Sequence, residues 1–484
     1  MEPIASIGHL SEAKRRLLDV LLSHEKPVRR GISGAIPRRT DPVPVPLSLM
    51  QEQLWLLETS SPTIPPLYNE SITLKMKGAL SVAVLERSLA EIIRRHEIWR
   101  TTYHTLDGRA VQHVHPAADR FPLTFEDLCD LPPGEREARV LELGKEQAGR
   151  HFDLEGGPLL RATLAGVGEA ENWLIMTAHQ SIVDGVSVYQ VFPSELCAIY
   201  GAFLASRPSP LPELPLQFSD FAYWQREMLT PEKRDSQLGY WRKKLSGDMP
   251  GLRWPDTKPR PPKQTFRGHI RSFPFLAKMA ADVRGLARRA GSTEFLVLLA
   301  ALYGLLHHYT GQSSLTVGTF SPAGRKRSEA QNLLGYFLNP VPLRIDVGDD
   351  PSFFEIIRRA QETVSEAISH DDVPFEHVVE ALKPPIDPSR NPYFSVAASL
   401  QPQMPELQVN WSITSMDAES GGSRWDLYVA FIDRPEGLNA RVQYNPDIFE
   451  FNEIRQMTDD FRALLERVAL HPERRVSELW DRKI

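Results

Sequence analysis

The sequence predicts an α/β (α+β) protein built as two lobes of similar size and class. Strand-like and helix-like stretches alternate along nearly the whole chain. The densest group of prolines, Pro250, Pro255, Pro259, Pro261 and Pro262, lies near the middle, where it can neither continue a helix nor pair as a central strand. A second strand-and-helix series follows it. These observations divide the chain into an opening helix and linker (1–44), an N-terminal lobe (45–246), a Pro-rich crossover (247–266) and a C-terminal lobe (267–484).

In the opening segment, Ser11 can cap a helix presenting Leu17, Leu18, Leu21 and Leu22, followed by a basic linker at Lys26–Arg39. The segment is a solvated lead-in or a docking element for a neighbouring protein. Val82, Leu85, Leu89, Ile92 and Ile93 share one helical face that ends at Arg94-Arg95-His96. Trp173–Ala178 is a short apolar run, a buried strand. Asp184 to Phe203 reads as a helix with Val188, Phe192 and Tyr200 inward and a kink at Pro193. Beyond the crossover, Phe295–His308 reads as a buried helix, Leu315–Phe320 and Pro340–Ile345 as strands, and Phe353–Ser369 as a helix. Strands at Trp425–Ile432 and Leu438–Tyr444 precede a terminal helix near Phe449–Val468.

Composition narrows the function. Of 484 residues, 42% are apolar and 24% charged, as in ordinary globular domains, and a net charge of −6 argues for neither nucleic acid nor a membrane surface as partner. Cys129 and Cys197 are too far apart for a metal motif and too few for a disulfide scaffold, which fits a reducing cytoplasm. The longest apolar stretch is too short to span a bilayer. A soluble monomer with no metal and no cofactor of its own is expected.

One segment reads first as chemistry. In His179-Gln180-Ser181-Ile182-Val183-Asp184-Gly185 a strand ends at a His, a short loop follows, and Asp-Gly opens a helix. A His after a buried strand is usually structural, so this segment alone decides little. Six further segments accompany it in order: Ser48–Trp55 (SLMQEQLW), Arg95–Thr102 (RHEIWRTT), Phe218–Trp224 (FSDFAYW), Gly335–Arg344 (GYFLNPVPLR), His370–Glu376 (HDDVPFE) and Ser389–Pro392 (SRNP). Taken singly, Trp55 reads as core, Arg95–Arg100 as a helix end pinned by salt bridges, and Phe218–Trp224 as aromatic packing.

Together the seven segments resemble the signature motifs of condensation domains of nonribosomal peptide synthetases, from about residue 45 onward. The resemblance implies two chloramphenicol-acetyltransferase-like lobes in a V-shaped pseudo-dimer with a central tunnel. It implies donor and acceptor carrier proteins as partners, delivering substrates on phosphopantetheine arms. An acceptor amine attacks the donor thioester, giving an amide and a free thiol. No adenylation or carrier segment is visible, so a free-standing or excised condensation domain is expected.

In that family's HHxxxDG motif the second His faces the tunnel and the first is structural. Four residues before Asp184 stands Gln180, not a His. His179 cannot simply substitute, because adjacent residues after a strand point in opposed directions. An amide has no basic site near neutral pH, so Gln180 cannot take a proton, although it can donate a hydrogen bond to an oxyanion or orient an amine. The resemblance further implies that Asp184 is structural and paired with an arginine of the second lobe, for which Arg344 is nominated, with Arg100 as a second support. Gly185 permits close backbone approach, the helix starting there offers N–H groups to an anion, and Ser187 caps it. The expected activity is amide formation; the alternative is an inactive module that binds carrier proteins or recruits an enzyme.

Overall fold

The computed structural model describes residues 35–39 and 44–480, except 61, 62, 248, 250, 255–257, 408, 415, 417, 435 and 436. The opening helix expected at residues 11–22 lies outside them. The first half of the chain forms β1 (Val45–Pro46), α1 (Leu49–Ser60), β2 (Asn69–Lys77), α2 (Val82–Arg95), β3 (Thr101–Leu106), β4 (Arg109–Val114), β5 (Thr124–Asp127), α3 (Pro133–Ala148), β6 (Leu160–Gly168), β7 (Glu171–His179), α4 (Phe192–Leu204), α5 (Phe218–Met228) and α6 (Pro231–Lys244). The second half forms β8 (His269–Pro274), α7 (Ala277–Arg289), α8 (Glu294–Thr310), β9 (Ser314–Ser321), β10 (Asn339–Asp346), α9 (Phe353–Ile368), α10 (Phe375–Leu382), β11 (Val396–Leu400), β12 (Trp411–Thr414), β13 (Leu427–Arg434), β14 (Gly437–Tyr444) and α11 (Phe451–Leu470).

The first lobe's main sheet runs β12-β2-β7-β6-β5. Period-two alternation divides its faces. Ile72, Leu74 and Met76 of β2, with Leu174, Met176 and Ala178 of β7, pack with Leu85, Leu89 and Ile92 of α2 and Leu196 of α4. Trp173 and Ile175 point the other way, onto Val140 and Leu143 of α3. The second lobe's sheet runs β10-β9-β11-β13-β14-β8. Its core is centred on α8, where every residue from Phe295 to Leu306 is buried. That is why the run looks uniformly apolar rather than amphipathic. Thr293 caps its start by accepting from the Leu296 N–H, and Gly311 ends it in the left-handed region at φ +65°. No single helix among the described residues is long and apolar enough to cross a membrane.

Three features depart from the sequence reading. The helical stretch after Gly185 opens with a π-turn over Ser187–Val191, and Pro193 sits in the first turn of α4, where its missing N–H is tolerated. The change of helix type falls just before Pro193, where the sequence places a kink. Helix α6 packs through Leu238 and Trp241 into the second core, so the first lobe's packing ends before residue 246. In return, Ala330, Leu333, Leu334 and Phe337 pack into the first core, and β12 pairs antiparallel with β2, Trp411 opposite Met76. Each half of the chain thus completes the core of the other.

Candidate active site

β2 and β7 pair with Asn69 opposite His179 and Glu70 opposite Ala178, and the chain turns immediately after His179. Alternation sends His179 and Gln180 to opposite sides, as expected. His179 is buried among aromatic rings, edge-on to Tyr68 and Phe152, with Nδ1 2.7 Å from Ser181 Oγ. Its Nε2 lies 3.8 Å from Glu58 Oε1. Gln180 is partly buried on the other side, where its Nε2 donates to Glu70 Oε1 at 3.3 Å. The following turn is braced from the opening motif: Gln51 Nε2 donates to the Ser181 carbonyl and to the Tyr103 hydroxyl, both at 2.9 Å.

Asp184 is fully buried and held by an arginine of the second half, but not by the one nominated. Arg325, in the turn after β9, donates from Nε to Asp184 Oδ2 at 2.8 Å and from Nη2 to Oδ1 at 2.7 Å. Its remaining N–H groups reach the carbonyls of Ala330, Gln331 and Leu333, and the Phe337 ring lies beneath it at 4.5 Å. Arg344 points instead into a surface cleft, donating to Ser314 Oγ and the Ser246 carbonyl. Its strand position opposite Thr316 aims it away from Asp184. Nor is Arg100 a support of this site: it donates to the His115 carbonyl and sits 3.5 Å from Glu97. Arg325 and Arg344 are alike in chemistry and close in sequence; only the direction of the backbone that carries each separates the clamp from the cleft.

The helix cap also differs from expectation. Asp184 Oδ1 accepts the Ser187 N–H at 2.8 Å, so Asp184 is the cap. Ser187 Oγ is taken up between lobes, accepting from Arg325 Nη2 at 2.9 Å and from the Gly335 N–H at 3.1 Å. Gly335 needs its identity here: its φ is +153°, and a Cβ would stand 2.2 Å from the Phe218 ring. Gly335→Ala is expected to cost about 2–4 kcal/mol through backbone strain and overpacking, read as a lower midpoint in denaturant with an unchanged slope.

The second lobe approaches the segment at Gly185, where a Cβ would meet Gln401 Oε1 at 3.0 Å. Gln401 Nε2 lies 3.3 Å from Ser399 Oγ and from the Tyr428 hydroxyl, which are 2.8 Å from each other. Tyr428 feels the charges of Glu70 and Arg441 and, with Tyr189, is pushed upward by burial. Burial likewise raises the Glu70 carboxyl above the ordinary carboxylate value, opposed by the Arg441 charge. Gln180, Glu70 and Tyr189 thus share one polar neighbourhood with Tyr428 and Arg441 of the opposite half. Apart from Gln180, none of these was anticipated. Only Glu70 carried a signal, as an acid in register with the inward Ile72, Leu74 and Met76.

The remaining motifs brace the second half from within. Asn339 donates to the carbonyls of Asp371 and Val373 and accepts from the Phe375 N–H. Glu376 accepts from Arg424 at 2.7 Å, beside Tyr68, whose hydroxyl burial pushes up to about 12. Among the described residues no group of three His, Cys, Asp or Glu is placed to hold a metal.

A two-lobed α/β fold of the chloramphenicol-acetyltransferase type, with a strand-end motif clamped across the lobes, defines the class of acyl-transfer condensation folds. The Condensation domain family model matches residues 44–481, and the chain belongs to that family. It is similar to a chain of the linear gramicidin synthase of Brevibacillus parabrevis, 39% identical over 90% of this chain and 9% of that protein. Phosphinothricin tripeptide synthetase PhsC of Streptomyces viridochromogenes is 33% identical over 96% of this chain and 43% of that protein. The chain therefore spans less than half the length of these curated relatives. Among solved structures it is similar to the X-domain from teicoplanin biosynthesis, with 30% identity, TM-score 0.78, and coverage of 92% of this chain and 99% of that one. A complex of that X-domain with OxyB matches at TM-score 0.77 and 31% identity, over 92% of this chain and 98% of that one.

Proposed function

We propose that this chain joins a carrier-bound acyl or aminoacyl thioester to an amine held on a second carrier protein's phosphopantetheine arm. The observation that carries this reading is the convergence of both halves on the segment that holds Gln180, through the Asp184–Arg325 clamp and the approach of Gln401 to Gly185. Alignment of two tethered reactants supplies several kcal/mol of barrier reduction without any proton transfer. A neutral amine attacks through its lone pair before losing any proton, whereas a hydroxyl must give up its proton as it attacks, so the amine asks less of whatever base the site holds. Amide formation is thus the reaction this site favours.

A second reading is a binding module that recruits a partner enzyme. The missing imidazole at position 180 favours it, as does the likeness to a domain solved in complex with OxyB. Single-turnover reactions with acyl-loaded donor and aminoacyl-loaded acceptor carriers separate the two. The transferase reading expects an amide on the acceptor carrier, and far less ester from the hydroxyl isostere. Intact binding of both carriers without product establishes the binding module.

A further inference from the structure

Glu70 breaks the pattern of its own strand. Along β2 the residues in register with it, Ile72, Leu74 and Met76, are buried and apolar, as an inward face requires. A carboxyl continuing that series is costly to desolvate and needs a reason for being there. Its neighbours supply one. Position 70 lies opposite Ala178, two residues before Gln180 on the same side, and the two side chains meet at 3.3 Å. An ionised carboxylate can only accept, so the amide presents Nε2 to it, and Gln180 acts as a holder of the carboxylate.

We propose that Glu70 is the proton acceptor of this condensation site, oriented by Gln180, and that it does the work an imidazole at position 180 would do. The assignment rests on the transferase reading above. As the acceptor nitrogen bonds to the thioester carbon, the carbonyl electrons move to oxygen and the nitrogen's proton passes to Glu70. Collapse re-forms the carbonyl, breaks the carbon–sulfur bond and expels the pantetheine sulfur as thiolate. Glu70 returns its proton to that sulfur, leaving amide, thiol and an unchanged enzyme. No further reactant is needed.

The charged and titratable groups facing Glu70 are Arg441 from β14, Tyr428 from β13 and Tyr189 from the π-turn. Both tyrosines are pushed upward by burial and keep their protons near neutral pH. Glu70, raised by burial against the pull of Arg441, is the group in this set whose charge changes as pH rises from acid toward neutrality.

The test is single turnover across pH, using acetyl- to octanoyl-pantetheine thioesters as donors and glycyl- to phenylalanyl-pantetheine as acceptors. For the unmodified chain, the rate should rise through an ionisation above the ordinary Glu value of about 4.3. A separate rise near about 8, from the acceptor amine, should appear in every variant. Glu70→Gln keeps the shape and a hydrogen bond to Gln180; it should lose the lower limb and about 10²–10⁴-fold in rate, with half-saturation by acceptor unchanged. Glu70→Asp keeps a carboxylate and should retain a displaced limb with a smaller loss, so it carries the test if the glutamine variant does not fold. Loss of that limb in Glu70→Asp, or an unchanged rate and profile in Glu70→Gln, overturns the assignment and leaves the condensation reading standing. No product from the unmodified chain overturns both.

Discussion

Replacing Arg325 by alanine is expected to lower the thermal midpoint by roughly 10 °C, from a loss of about 3–5 kcal/mol. Asp184 is fully buried, and with Arg325 gone its carboxylate would face the first lobe's interior with Ser187 as its one hydrogen-bonding partner among the described residues. The carbonyls of Ala330, Gln331 and Leu333 lose the guanidinium at the same time, Ala330 alone keeping a second donor in the Leu333 N–H. Asp184→Ala should cost a similar amount, since it strands a buried guanidinium. The double variant should cost less than the two losses added, because neither charge is then left alone. Arg344→Ala provides the contrast: its contacts border an open surface cleft, so a change within about 1 kcal/mol is expected. Calorimetry on the four proteins checks the reassignment, and equal losses for Arg325→Ala and Arg344→Ala would refute it.

The second large effect is on rate. Gln180→His places an imidazole where the motif resemblance implies one, in the side-chain direction that now meets the Glu70 carboxylate at 3.3 Å. General base catalysis contributes about 10²–10⁴-fold, which bounds the gain. The Glu70 carboxylate would hold the imidazolium and raise its pKa, so the gain should appear only as pH climbs through that raised value. Because Glu70 already serves as the base, a gain at or below the lower end of the range is expected. Gln180→Ala should act oppositely, losing about 10–100-fold with one hydrogen bond to a carboxylate. Single-turnover rates with both carriers loaded measure each. No gain for histidine and no loss for alanine would favour the recruiting module.

Local signals in the chain were strong where structure is local. The strand ending at His179, the buried helix α8 and the order of the seven segments were all readable, because apolar spacing and turn residues act over a few positions. So were the opposed directions of His179 and Gln180, which need only strand alternation. Partner choice over long separations was not readable. Arg325 reaches Asp184 because of the direction in which the chain leaves β9, a property of the assembled sheet. β12 is four residues, Trp-Ser-Ile-Thr, too short for its alternation to stand out after a stretch rich in Pro and Gln, and nothing local announces that it joins a sheet begun more than three hundred residues earlier. Glu70 was visible in principle, since an acid in register with Ile72, Leu74 and Met76 violates the inward pattern.

The late arrival of β12 bears on how the chain is made. β2 emerges from the ribosome long before the strand that covers its outer edge, which begins only at residue 411. At about 5–20 residues per second, that edge stays open for roughly 15–70 s, longer than most single domains need to fold. Uncovered strand edges template pairing with other chains. For that interval the nascent first lobe is a sheet with one adhesive border, and each ribosome on a shared message carries another copy of it.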